Sequence, residues 1–427
     1  MRKPKFQSLT GMHDILPEDQ KYFQKIYSLI ESIAEFYGFG KIDTPILEKL
    51  ELFSRGIGMS TDIVEKQMFI LKTKGGDEMA LRPEGTAPIV RSFFENGMQN
   101  LPQPVKLWYF GPFFRYEHPQ AGRYRQFWQF GFEVLGEKNP VIDSQVIQIF
   151  YNLLKELRLK NLVIQINSIG DSQCRPYYKK LLASYFKSRE LSLCFDCRRR
   201  LKENPLRILD CKEEKCQRVI SGAPQIIDHL CEECHNHFKK VLEFLDEIEL
   251  PYYLNPYLVR GLDYYTKTVF EIFPEDQKER AQGAIAGGGR YDALSKILTG
   301  KEVAAMGGAG GVERIINLLK EKHLKLHEQN APNIFLAQLG DLAKRKSLKL
   351  MEDFRREKIL VAETFGRDSL KVQLSRANKI GVKYTLILGQ KEALEGTIII
   401  RDMETGNQEI IKINKVVDEI KKRLKKI

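Results

Sequence analysis

The sequence predicts a mixed α/β (α+β) protein: an antiparallel-sheet core, a helical insertion within it, and a C-terminal α/β domain. Three observations carry this. Residues 107–136, LWYFGPFFRYEHPQAGRYRQFWQFGFEVLG, form two aromatic-rich strand runs around a polar loop, 118–124, that holds Pro119 and Gly122. Composition changes at Asp171, and 171–255 is rich in Cys, Lys and Glu with helical character. From Asn333 onward, strand-like and helix-like stretches alternate. A chain of 427 residues fits two or three domains. The expected division is a first part of the core at 1–170, the insertion at 171–255, and a second part of the core at 256–322. A linker at 323–331 then leads to the terminal domain at 332–427.

Taken in order, residues 1–10 read as a basic arm and 11–17 as a turn-rich lead-in. Residues 19–37 have helical spacing, with Tyr22, Ile26, Leu29, Ile33 and Phe36 on one side. Gly38 and Gly40 end that helix, and 41–47 reads as a strand that Pro45 confines to an edge or an interface. Leu81-Arg82-Pro83-Glu84-Gly85-Thr86 is a tight charged turn before an apolar helix over 87–94, with Thr86 and Pro88 as cap and first-turn residues. Glu84 there suits a carboxylate favoured by the helix dipole as well as a ligand contact.

Beyond the hairpin, 141–157 is an apolar helix and 162–167 a short strand. The insertion reads as having its own small core. Strand character returns over 258–272 and again at 284–286, each beside glycines: Gly261, then Gly287-Gly288-Gly289, then Gly307 to Gly311. Such glycines let backbone approach a ligand or another strand closely. In the terminal domain, strands are expected at 333–338, 359–363, 384–388 and 397–401. Helices are expected at 342–356 and 369–380, with a last lysine-rich helix bearing Val416, Val417, Ile420 and Leu424.

Composition is that of a soluble globular protein, with 29% of the chain charged and no run of 18 apolar residues to form a membrane-spanning helix. The N-terminus lacks the apolar core of a signal peptide, so a cytoplasmic location is expected. Net charge is +12, and from Ala331 on there are 21 Lys and Arg against 13 Asp and Glu. Two thirds of the excess thus sits in less than a quarter of the chain, which favours a polyanion partner, nucleic acid before membrane.

The hairpin carries the chemistry. Strand side chains alternate between faces. Trp128, Phe130, Phe132 and Val134 take one face, suited to a core. Arg115, Glu117, Gln129 and Glu133 share the other with Phe113 and Phe127. An amphipathic sheet with a wetted outer face would also alternate this way, but guanidinium and carboxylate groups beside aromatic rings suit a small polar ligand with a flat ring. No GxxxxGK[ST] occurs, so a P-loop is excluded. Arg260, Arg290 and Arg314 lie beside glycines, with Arg115 and Arg123 in or next to the hairpin loop. Converging guanidiniums would suit a triphosphate and the charge that develops on its cleavage.

These residues resemble the histidyl-tRNA synthetase family of class II aminoacyl-tRNA synthetases, over essentially the whole chain. Tyr37 to Leu47 with Pro45 is similar to the first class II motif, which in the family forms the dimer interface. Phe114-Arg115-Tyr116-Glu117 through Gly122-Arg123-Tyr124-Arg125-Gln126-Phe127 resembles the second, and Gly307 to Arg314 the third. Arg260-Gly261-Leu262-Asp263-Tyr264-Tyr265 and Ala286-Gly287-Gly288-Gly289-Arg290-Tyr291-Asp292 resemble the two histidine signatures. The resemblance implies a class II antiparallel-sheet core, a C-terminal anticodon-binding domain, and a homodimer that takes histidine, ATP with Mg²⁺, and the tRNA for histidine. It implies Arg260 and Arg115 as the catalytic cations. Arg115, Glu117, Arg123, Phe127 and Arg314 would bind ATP. Glu84, Gly85, Thr86, Arg115, Gln129, Glu133, Arg260, Tyr264 and Tyr265 would bind histidine. A non-catalytic regulatory paralogue of ATP phosphoribosyltransferase is the alternative, which Arg260 and the terminal domain argue against. Two positions depart from the family. Gly308 replaces an aromatic residue, implying looser packing, and His118 replaces an arginine in the loop that meets the tRNA acceptor end.

Six of the seven cysteines fall within 41 residues: Cys194 and Cys197, Cys211 and Cys216, Cys231 and Cys234. In a cytoplasmic protein this spacing favours a metal over disulfides, and a structural zinc is the expected ion.

Overall fold

The computed structural model describes residues 5–59, 61–120, 122–274, 283–322, 332–366 and 368–425. The expected linker at 323–331 lies outside the described residues, as do the first four residues of the basic arm. The chain divides into two compact units, Met1–Leu326 and His327–Ile427.

The first unit is built on an eight-stranded sheet. In spatial order its strands are Gly40–Lys41, Val105–Phe114, Gln126–Leu135, Ala305–Gly311, Ala286–Arg290, Thr266–Pro274, Leu162–Ser168 and Tyr252–Leu254. The six central strands pair antiparallel, and the two short edge strands pair parallel. The hairpin register sets Phe113 opposite Phe127, Gly111 opposite Gln129 and Leu107 opposite Glu133. One face of the hairpin packs Trp108, Phe130, Phe132 and Val134 into a core with the helices Pro17–Tyr37, Val141–Glu156 and Val312–Glu321. The opposite face joins a second core that includes Leu107, Tyr109 and Phe113. The alternation read from the sequence therefore holds, with a core on both faces and a cavity opening on the second.

Several expectations need correction. Phe36 is 80% exposed, because Phe23, Ile26, Ile30, Ile33 and Ala34 form the buried stripe and leave it on the far side. The single strand expected over 41–47 is split in two around Pro45. Gly40–Lys41 edges the large sheet, and Leu47–Lys49 joins a separate three-stranded sheet. Thr86 is the first helical residue and Gly85 the cap. Strand pairing begins at Thr266, and 258–265 is a loop. The insertion has no private core. Tyr178, Leu182, Phe186 and Ile208 share a cluster with Phe53 and Phe93, and Phe238 and Val241 share the other with Val146.

Arg290 also differs from expectation. It is fully buried and turned away from the cavity, donating to Asp143 at 2.6 and 3.0 Å and to Asp292 at 3.3 Å. Asp143 is further bonded by His237 and Thr268. Burial alone would raise Asp143, but Arg290 and His237 outweigh it and hold the carboxyl below its usual range. Nor is packing at Gly308 loose. A Cβ there would lie 2.8 Å from Phe150 and 3.1 Å from Phe270, so aromatic rings from other elements already fill the space.

The second unit is a five-stranded sheet in the order Val361–Glu363, Ile334–Gln338, Tyr384–Leu388, Thr397–Asp402, Gln408–Lys412. Its first three strands are parallel and the last two antiparallel. Helices Asp341–Arg356 and Val416–Lys425 cover one face, and Leu370–Ile380 the other. The alternation predicted this; the strand Gln408–Lys412 and the helix Gln390–Glu395 were not anticipated. Among the described residues, no helix is long and apolar enough to cross a membrane.

Candidate active site

A cavity of about 380 Å³ opens on the second face of the large sheet. Of the site residues expected from the sequence, all but Glu133 line it: Glu84, Gly85 and Thr86 on one wall, Arg115, Glu117, Arg123, Phe127 and Gln129 on the hairpin, Arg260, Tyr264 and Tyr265 on a loop, and Arg314 beyond.

The hairpin end is cationic and aromatic. The Arg115 guanidinium lies 5.4 Å from the Phe127 ring centroid and donates from Nε to the Pro83 carbonyl at 2.9 Å. Glu117 sits 3.9 Å from Arg115 and 3.8 Å from Arg123, which keeps both cations near one carboxylate. Arg314 crosses to this end, donating to the Gly122 carbonyl at 3.2 Å and the Ala284 carbonyl at 2.6 Å. Burial, together with neighbouring Arg123, lowers its pKa. That crowding of positive charge is an unbalanced arrangement that a polyanion would relieve. His118 is exposed in the loop.

The inner end is carboxylate-rich. One residue before the Gly85 cap, Glu84 does satisfy the first turn of the helix Thr86–Glu95, accepting from the Thr86 N–H at 2.7 Å and the Ala87 N–H at 2.9 Å. It also accepts from the Tyr264 hydroxyl at 3.2 Å and lines the cavity, so both readings of this residue coexist. Glu133 lies behind the wall, accepting from the Thr86 hydroxyl at 2.9 Å and the Tyr291 hydroxyl at 2.6 Å. Burial pushes its pKa up to about 8, helped by the nearby Glu84 and opposed by those two hydroxyls. Glycine at 307 makes room for it: a Cβ would fall 1.7 Å from Glu133 Oε2.

Arg260 is ion-paired with Glu271, which also lines the cavity. Glu271 was missed, although the strand Thr266–Pro274 held the clue: a lone acid on the same face as Val269 and Phe273, within the otherwise apolar stretch 269–274. Tyr291 was missed for a different reason, since it sits inside a quoted motif but contacts Glu133 across 158 residues. Glu313 accepts from the Trp128 N–H, and burial raises it to about 7.

The cysteines do not converge on one point. Cys194, Cys197, Cys211 and Cys216 form one cluster; Cys231 and Cys234 join Asp171 and Cys174 in another.

A profile described as "Histidyl-tRNA synthetase" matches residues 11–315, well over half of the chain. The chain belongs to the histidyl-tRNA synthetase family. A second profile, "Anticodon binding domain", matches 334–423. Among curated synthetases of this family, the histidine–tRNA ligase of Dehalococcoides mccartyi (strain ATCC BAA-2266 / KCTC 15142 / 195) is 44% identical over 419 residues. That alignment spans 98% of this chain and all of the relative. The histidine–tRNA ligase of Desulforamulus reducens is 43% identical over 97% of this chain and 98% of its own length. The apo histidyl-tRNA synthetase of S. aureus superposes with a TM-score of 0.79 at 35% identity, covering 98% of this chain and 99% of that one. The fold is thus that of a histidyl-tRNA synthetase, with a C-terminal α/β anticodon-binding domain.

Proposed function

We propose that this chain is a histidine–tRNA ligase, activating histidine with ATP and passing it to the terminal adenosine of its tRNA. The single observation that carries the site assignment is the convergence of Arg115, Arg260 and Arg314 with Glu84 and Tyr265 on one cavity, from segments far apart in sequence. The alternative, a non-catalytic regulatory paralogue, is not favoured, given Arg260 in that cavity and relatives of full length that are ligases.

In the proposed first step the histidine carboxylate attacks the α-phosphorus of Mg²⁺-bound ATP, and pyrophosphate leaves. Arg115 holds the attacking carboxylate and the α-phosphate while Phe127 stacks on adenine, with Glu117 at its edge. Arg123 and Arg314 neutralise the distal phosphates. Arg260 stabilises the charge that builds on the α-phosphate. Glu84, Thr86 and Gln129, with the Gly85 backbone, hold the amino group. Tyr264, Tyr265 and Glu133 read the imidazole, Glu133 through a small movement of the wall that now screens it. In the second step a ribose hydroxyl of the terminal adenosine attacks the carbonyl and AMP leaves. The basic second unit supplies the polyanion-binding surface for tRNA.

The same reading includes a homodimer and a cytoplasmic location. Support for the dimer is the exposure of Phe36, Ile46 and Leu47 around the first class II motif. Light scattering of the purified protein should give twice the chain mass; a monomer sinks that part. Histidine-dependent ATP–pyrophosphate exchange tests the whole. Exchange with histidine and no other standard amino acid is expected, and its absence with Mg²⁺ present overturns the reading.

A further inference from the structure

The geometry points to two separate structural metal sites, each taking a tetrahedral Zn²⁺-type ion, that brace the Arg260-bearing loop from two sides. The first set is Cys194, Cys197, Cys211 and Cys216; the second is Asp171, Cys174, Cys231 and Cys234.

Within each set the four ligand atoms lie within 4.8 Å of one another. A tetrahedron with Zn–S bonds of about 2.3 Å has edges of about 3.8 Å. Cys194 Sγ and Cys211 Sγ are 3.9 Å apart, which matches that edge and is far too long for a disulfide. The second set holds an odd number of thiols and a carboxylate, a composition that disulfide pairing cannot satisfy but a metal can. One chain segment in each set has the same local design. Cys194 caps the helix Phe195–Glu203 and Cys231 caps Glu232–Glu247, so the second cysteine of each pair falls in the first turn. Backbone N–H groups point at the sulfurs: Cys197 to Cys194 at 3.4 Å, Cys194 to Cys216 at 3.2 Å, Cys231 to Cys174 at 3.0 Å. Such donors stabilise thiolates bound to a metal. Asp171 Oδ1 is likewise oriented by the Gln173 and Cys174 N–H groups. Five of the eight ligand residues are buried, as closed structural sites require.

Both sites connect to the same loop. From the first, Arg207 donates to the Arg260 carbonyl at 3.0 Å and Asn204 to the Asp263 carboxylate at 3.2 Å. Asp210 and Lys212, either side of Cys211, line the cavity. From the second, Arg175 reaches the Asp263 carbonyl at 3.5 Å. Ile169 and Gly170 exchange backbone hydrogen bonds with Lys267, at the start of the strand that carries Glu271. Filling the two sites therefore holds the loop that presents Arg260 at Arg260, Asp263 and Lys267.

Full-length protein, desalted through chelating resin, is analysed by elemental mass spectrometry and should carry about two equivalents of zinc per chain. Cys211→Ser with Cys216→Ser should leave about one, and so should Asp171→Ala with Cys174→Ser, each with the other site intact. Cobalt substitution should give tetrahedral thiolate absorption at both sites. Because a variant could fail to fold, wild-type protein is also stripped of metal and followed by hydrogen exchange. Faster exchange confined to peptides spanning 258–267 and the two ligand segments is expected. Less than about a fifth of an equivalent of zinc in wild-type protein overturns both sites. Zinc unchanged by the Asp171 and Cys174 substitutions overturns the second site, a disulfide between Cys194 and Cys211 overturns the first, and unchanged exchange at 258–267 overturns the bracing. None of these readouts depends on ligase activity.

Discussion

The Arg260 guanidinium is ion-paired with the Glu271 carboxylate inside the candidate active site, each side chain about four-fifths buried. Despite the desolvation that burial imposes, Glu271 holds Arg260 more firmly protonated than usual. The cation is thus placed and charged in the free protein, and in the proposed mechanism an incoming phosphate would compete with Glu271 for it.

Two outcomes follow from that pair. Arg260→Ala should lower histidine-dependent ATP–pyrophosphate exchange by roughly 10²–10³-fold while leaving tRNA affinity near normal. Equal loss of both would deny Arg260 its role. Glu271→Gln should destabilise the free protein by about 1–3 kcal/mol, because a buried guanidinium loses its partner. ATP should then raise the melting temperature of this variant more than that of wild type; an equal rise would show that the two anions do not share Arg260.

Arg314 is pinned by two carbonyls, at Gly122 and Ala284, and still faces the cavity. Lysine cannot fork onto both carbonyls and a phosphate. Arg314→Lys should therefore raise KM for ATP by about tenfold with little change in KM for histidine. A variant with unaltered ATP dependence would place the distal phosphates elsewhere.

Glu133 links pH to stability. Its pKa in the folded protein is about 8, against an ordinary 4.5. The folded state therefore holds a proton that the unfolded chain releases above pH 4.5. The stabilisation is complete below that value and is lost as pH rises through about 8, at up to ~1.4 kcal/mol per pH unit. Glu133→Gln removes this dependence. Its stability relative to wild type should climb between about pH 5 and 8 and level off above. A pH-independent difference in denaturant titrations would show that Glu133 is ionised throughout.

Gly308 carries no spare room. Gly308→Ala should cost about 1–3 kcal/mol in urea unfolding, since the new methyl meets Phe150 and Phe270. A neutral effect would mean that the two rings can part, as loose packing there requires.

What the sequence determined by itself is local and periodic. Alternation along the hairpin assigned Phe127 and Gln129 to one face and Trp128 and Phe130 to the other, because strand side chains alternate whatever the strand packs against. Family motifs brought Arg115, Arg260, Arg314 and Tyr265 to one cavity, and alternation marked out the terminal α/β unit. What only the tertiary structure decided is which distant group each buried side chain meets. Arg290, grouped in the sequence with the glycine-flanked arginines that would suit a triphosphate, is instead bound by Asp143 across 147 residues, and Glu133 sits behind the wall with Tyr291. The cysteines were counted correctly, but their division into two sets was not legible. Cys174 lay outside the window and Asp171 carries no cysteine spacing, yet a carboxylate and a distant thiol complete a site as soon as packing brings them together. A buried charge needs a partner, and the chain alone does not say which one it will find.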